Sequence, residues 1–226
     1  MTCKLLRETL SGDREASALA ADGSTMRAEA PEPSIRGSFI TTGKTWIIKT
    51  YGEDLWKRAL GTLAAEQQAL FGLEIVANSW YSIEEWTKVL EAVRAEVRGR
   101  TGEDGPTFDR RLMFESIGIT MDKIFRVAFK LLSPTTVVAK VTPYFQKVYS
   151  HGSYTVIENE VGRCRLRLSD TPVKMEHEVR RAFPLASRWM LDIAGQEVKK
   201  LEFTPTVRGG LMSSDVVIDY VPKGKR

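Results

Sequence analysis

Residues 153–170 read SYTVIENEVGRCRLRLSD, and the period of this stretch decides the fold. Cys164, Leu166 and Leu168 alternate with Arg163, Arg165 and Arg167, so an extended chain here is apolar on one side and cationic on the other. ENEVG supplies the turn, which makes the stretch a β-hairpin. Upstream of Gly152 the apolar residues recur three and four apart instead, the spacing of helices. The change of period at one glycine predicts helices first and an antiparallel sheet afterwards.

Downstream, residues 173–195 return to helical spacing through Val179, Phe183, Trp189, Met190 and Ile193. Pro184 requires a break or bend there, and Gly195 ends the run. Two further strands, about Glu197–Arg208 and Asp215–Val221, are joined through GGLMSS. The expected fold class is therefore α+β: a helical N-terminal two-thirds packed on a small antiparallel sheet of about four strands from the C-terminal third.

Upstream, LLSPTTVVAKVTPYFQKVYSHG starts a helix at Ser133-Pro134, with Pro134 suited to the first helical position. Pro143 should kink or split that helix. Before it, Phe108, Leu112, Phe114, Ile117, Met121, Ile124, Phe125, Ala128 and Leu132 give a helix beginning near Thr107 or Asp109 a broad apolar surface. Such a helix is touched on several sides. In NSWYSIEEWTKVLEAV, Ser82 and Glu85 form a capping box, with Tyr81 and Trp86 at the positions of a hydrophobic staple. Ile83, Trp86, Leu90, Val93 and Val97 make the buried stripe. Gly52 breaks two earlier helical runs, and Gly72 is placed just past the end of a third. Residues 1–34, small, polar and ending in prolines, are expected to be a flexible tail ahead of one domain spanning 35–226.

Composition excludes more than it selects. The chain has 226 residues and a net charge of +4, too little for a nucleic-acid signature without clustering. Cys3 and Cys164 form neither a disulfide framework nor a metal spacing, which points to a reducing compartment. No apolar run spans a membrane, so a soluble cytoplasmic protein is expected. There is no phosphate-cradling loop, dinucleotide fingerprint, nucleophile elbow or zincin helix. His151 stands at a helix end, where a cation is well placed. His177, between Glu176 and Glu178, reads as a solvated surface residue. Arg163, Arg165 and Arg167 form either a face for an anionic partner or a solvated face paired with acids on neighbouring strands, such as Glu202. Cys164 reads as a packed thiol.

The segments GSFITTGKTWIIKTYGEDLWKRAL, NSWYSIEEWTKVLEAV and LLSPTTVVAKVTPYFQKVYSHGSYTVIENEVGRCRLRLSD, over about residues 36–221, resemble a family of uncharacterised paralogous proteins of myxobacteria. The Trp80–Tyr81 pair is the most specific piece. That family is similar to the fold of TRAPP vesicle-tethering subunits and of haem–nitric-oxide or small-ligand sensing domains. The resemblance implies helices on a twisted sheet, often dimeric, with no established activity. The chain lacks the sensing relatives' central-helix histidine, their tyrosine–serine–arginine triplet for haem propionates and their clustered C-terminal cysteines, which speaks against haem and zinc.

The expectation is a non-enzymatic signalling or adaptor domain, with no cofactor, no metal and no gathered polar machinery. It acts through protein–protein contact, with itself as a homodimer or with another protein. The alternative is a sensor holding an apolar small molecule between helices and sheet. Trp80, Tyr81, Phe114, Met121 and Phe125 are the candidate pocket or interface residues.

Overall fold

The computed structural model describes residues 32–120 and 132–222. Strand β1 (Ser34–Arg36) leads into helices α1 (Gly37–Tyr51), α2 (Glu53–Gly61) and α3 (Ala65–Gly72). Strand β2 (Trp80–Ser82) precedes α4 (Ile83–Thr101) and α5 (Gly105–Thr120). After the undescribed stretch come α6 (Pro134–Val148), the hairpin β3 (Ser153–Glu160) and β4 (Arg163–Pro172), α7 (Glu176–Ile193), and the hairpin β5 (Gln196–Arg208) and β6 (Leu211–Pro222). The fold is α+β, with helices first and a four-stranded antiparallel sheet from the C-terminal region in the order β3-β4-β6-β5.

The alternation of β4 positions the whole sheet. Cys164, Leu166 and Leu168 turn inward and are buried, opposite Ile218, Val216 and Ser214 of β6. The arginines between them face out. Two-residue turns join both hairpins. Gly209 and Gly210 both adopt positive φ, 58° and 77°, as a tight turn matching strand twist requires. The connection is therefore shorter than GGLMSS, whose last four residues are already strand. In the first hairpin, β3 runs on to Glu160 past a bulge between Val156 and Glu158, leaving only Val161 and Gly162 to turn.

Caps set the helix starts. Ser82 Oγ accepts the Glu85 N–H at 3.4 Å. The Glu85 carboxylate does not reach back; it accepts from Gln67 at 2.6 Å and Lys88 at 2.7 Å, so the box is half made. Tyr81 and Trp86 each meet Phe71, at 6.3 and 5.8 Å between ring centroids. Asp104 caps α5 by accepting the Thr107 N–H at 2.7 Å, one turn earlier than Thr107 or Asp109 would have placed it. Ser133 caps α6 with Pro134 at its first turn. Gly72 lies inside α3 instead of following it, and Leu73 ends that helix in extended backbone.

Two differences from the sequence reading have a physical cause. Helices α6 and α7 continue through Pro143 and Pro184 without a break. Each proline removes one backbone hydrogen bond, but the apolar stripe of α7 through Val179, Phe183, Met190 and Leu191 stays buried along its length. The second difference is the small pair β1–β2, with Ile35 opposite Tyr81. Ile35 also bridges to Tyr149 just past α6, so this strand ties the start of the domain to the entry of the sheet.

Candidate functional site

The site is built on one face of α7. Glu178, Ala182 and Ala186 fall four residues apart and so lie in one row, beside Val179 and Phe183. Bulky neighbours surround this row of small residues, and the space left is a cavity of about 110 Å³. Phe39 of α1, Met113 of α5, Phe145 of α6, Tyr154 of β3 and Leu168 of β4 complete its walls, so it lies between the helices and the sheet. Its aromatic lining is continuous. Phe145 stacks on Tyr149 at 4.6 Å and on Tyr154 at 5.3 Å, and Tyr154 meets the edge of Phe183 at 5.5 Å.

Among the described lining residues, Tyr149, His151, Tyr154, Glu178 and Trp189 carry polar atoms. Burial lowers His151 to a pKa of about 4, so the ring is neutral at physiological pH. This corrects the reading of a cationic histidine at a helix end. Its Nδ1 lies 3.4 Å from Ser150 Oγ. Burial also raises the Tyr149 phenol, helped by the nearby Glu178 carboxylate. Burial pushes Glu178 up to about 7, against the pull of Arg94. The Arg181 guanidinium, in direct contact with the same carboxylate, pulls the same way as Arg94. Glu178 is largely covered, its side chain 18% exposed, in spite of its surface-like sequence context, whereas its neighbour His177 is exposed.

Glu178 belongs to an ion network behind the cavity. Asp109 Oδ1 accepts from Arg94 Nε at 2.8 Å and from Arg181 Nη1 at 3.0 Å, and Arg181 donates in turn to Glu178. All four side chains are less than a fifth exposed. Burial raises Asp109 above the usual carboxylate range, opposed by Arg94. On the other side, Met175 and Glu178 also line an outer groove of about 450 Å³ between the first turns of α4 and α7, with His177, Thr87, Lys88 and Lys174. Glu178 thus stands between an apolar interior and a polar groove. An acid, a histidine and a tyrosine do share one cavity, contrary to the expectation of no gathered polar groups. Among the described residues no group of three His, Cys, Asp or Glu side chains could hold a metal ion.

The sequence-predicted residues lie elsewhere. Trp80 is partly exposed, with the Arg36 guanidinium 3.9 Å over its ring. The Tyr81 hydroxyl accepts the Val76 N–H at 2.8 Å. Phe114 is half-buried on α5 and is not part of the cavity wall. Met121 and Phe125 lie outside the described residues. Arg165 and Arg167 both bind Asp215, and Arg163 binds Glu158 and Asp219. Glu202 pairs with Lys200 instead. The cavity residues were readable in one respect: Glu178, Ala182 and Ala186 repeat at four-residue spacing beside a buried stripe, which marks a face with small side chains.

No family model and no curated protein matches the sequence. Among solved structures the chain is similar to H-NOX domains. An oxygen-binding H-NOX domain related to soluble guanylate cyclases aligns at TM-score 0.58 and 13% identity, covering 85% of this chain and 98% of that one. The Fe(II) unliganded H-NOX protein from K. algicida aligns at TM-score 0.59 and 8% identity, covering 85% and 100%. A mutant H-NOX of T. tengcongensis aligns at TM-score 0.56 and 14% identity, over 82% and 97%. At these identities the likeness establishes the fold.

Proposed function

We propose that this domain is a small-molecule sensor whose ligand occupies the apolar cavity between α7, the end of α6 and the sheet. The carrying observation is that cavity: a continuous aromatic wall, room left by Ala182 and Ala186, and an acid, a histidine and two tyrosines lining one space. The fold shared with H-NOX domains supports the reading, because one of the similar structures is an oxygen-binding H-NOX domain in complex with oxygen. A homodimer or a protein-docking role gains no comparable support from the geometry. A soluble domain in a reducing compartment suits the buried free thiol of Cys164 and the absence, among the described residues, of any helix long and apolar enough to cross a membrane.

The structures it resembles include haem proteins. The described lining does not fit a haem. A haem carries two carboxylates, and among the described lining residues there is no arginine or lysine and the one charged side chain is the acid Glu178. A single histidine, His151, offers an axial nitrogen. The volume of about 110 Å³ is on the scale of the ~150 Å³ engineered apolar cavity that takes a single ring, not of the much larger space a porphyrin needs. The sensing role is therefore assigned without haem.

The test is a thermal-shift series on the full chain with small apolar molecules such as toluene and xenon, repeated on Ala186→Phe. A ligand that binds only the folded state raises Tm with concentration. Wild type should respond, and Ala186→Phe, with the space filled, should melt no lower and respond to none. A wild type that is indifferent to every probe would overturn the proposal.

A further inference from the structure

Thr171 of β4 and Ser214 of β6 do not line the cavity, yet each is only 1% exposed and neither hydroxyl has a hydrogen-bond partner among the described residues. We infer that a single buried water molecule bridges these two hydroxyls beside the bulge of β4. This site is separate from the ligand cavity and does not depend on the sensor reading.

Leu168 lies opposite Ser214 and Thr171 opposite Met212, with the bulge between the two pairs. All four side chains are buried, so they share the inner face of the sheet. Thr171 and Ser214 are therefore diagonal neighbours, roughly 7 Å apart at their Cβ atoms. A direct bond between hydroxyl oxygens needs about 2.8 Å, whereas two such bonds through one water span about 5 Å, the distance left once both hydroxyls lean inward. The bulge makes room. From Leu168 to Thr171, β4 advances three residues while β6 advances two, and Asp170 in that step adopts φ 57° and is exposed. One residue too many on one strand opens the ladder locally. Gly152 runs past the same point: a Cβ there would lie 3.1 Å from Thr171 Oγ1, so its lack of a side chain leaves that flank of the hydroxyl clear. An unmet buried hydroxyl is costly, and buried waters satisfy such groups by making about 2–4 hydrogen bonds. Water is the class that fits. It accepts from one hydroxyl while donating to the other, and it is small enough for a place walled by side chains no more than 3% exposed.

The test is a double-mutant cycle on the full chain, read by chemical denaturation, with Thr171→Val, which keeps the branched shape, and Ser214→Ala. Either single variant strands the water and the remaining hydroxyl, so each should raise the unfolding equilibrium constant about fivefold to tenfold, the range of one net hydrogen bond. The double variant, from which the water can leave, should be no less stable than either single one. Relaxation dispersion of the solvent oxygen should count one long-lived water fewer in the double variant than in wild type. Single variants more stable than wild type would mean hydroxyls with no partner at all and would overturn the site. Losses that simply add in the double variant would mean two separate bonds to neighbouring backbone and would overturn it as well. Wild type with no long-lived water would refute it without any variant. None of these outcomes touches the cavity reading, which stands or falls on its own probes.

Discussion

Two of the sites where a pair of arginines shares one carboxylate have opposite outcomes. On the outer face of the sheet, Arg165 and Arg167 share Asp215, with both guanidiniums about 40% exposed. Behind the cavity, Arg94 and Arg181 share Asp109, and all three are under 20% exposed. The stoichiometry is the same, two cations on one acid. Yet Asp215 is held down at about 2 by its hydrogen bonds from Arg167 and Arg165, while burial raises Asp109 in spite of Arg94. Pairing sets the charge where water is present, and desolvation sets it where water is excluded. The interior network is also left incomplete: Arg94 Nη2 and Arg181 Nε have no hydrogen-bond partner among the described residues.

The comparison breaks most visibly at Asp109. Replacing it with Asn leaves Arg94 and Arg181 buried beside each other without their shared counter-charge. Removing one partner of a buried ion pair costs about 3–5 kcal/mol, a large part of the stability of a domain this size. Chemical denaturation of Asp109→Asn should show a loss of that order. A loss under about 1 kcal/mol would mean that water reaches the network and that burial does not dominate there.

A smaller effect appears in the pH dependence. Glu178 titrates near 7 in the folded state against an ordinary 4.5, so the folded protein holds that proton more tightly. Its contribution is full below about 4.5 and is lost as pH rises through about 7. Asp109, raised in the same sense, adds to this slope. His151, lowered from 6.5 to about 4, acts in reverse: its contribution is full above 6.5 and lost as pH falls towards 4. The two oppose each other across the window between 4.5 and 6.5. Wild-type Tm should therefore change little there. Glu178→Gln should turn the profile upward with pH, and His151→Phe should turn it downward. Parallel profiles for all three proteins would show that neither group is desolvated.

The outer network was legible in the sequence because a strand alternates. Once Cys164, Leu166 and Leu168 were placed inward, Arg163, Arg165 and Arg167 had to face out, and only the identity of their acids depended on register. Asp215 and Asp219 sit on the strand beside β4, while Glu202 lies one strand further and pairs locally with Lys200. The helices were legible from spacing and caps for the same local reason. The inner network was not. Glu178 sits in MEHEV, a polar context, and its burial depends on α4 and α5 arriving with Thr87, Arg94 and Asp109, residues 69 to 91 positions away. The cavity was missed likewise: Trp80 and Tyr81 drew notice as rings in a short polar stretch, but the deciding residues are the alanines of α7, which matter for what they leave open.

The smallest effect is expected at Asp215, and it sharpens the comparison more than it disturbs the fold. Asp215 is itself only 15% exposed, but its partners Arg165 and Arg167 are 40% and 41% exposed, so after Asp215→Asn their guanidiniums turn to water instead of remaining stranded. The cost should be about 1 kcal/mol or less, and it should shrink further in about 1 M salt, where screening acts within about 3 Å. The Asp109→Asn loss, arising from charges that salt ions do not reach, should be nearly independent of salt. Measuring both variants at low and high salt therefore separates the two networks by a property other than magnitude. If Asp215→Asn proved as costly and as salt-insensitive as Asp109→Asn, the outer face of the sheet would have to be covered in solution, and the arginines there would belong to an interface.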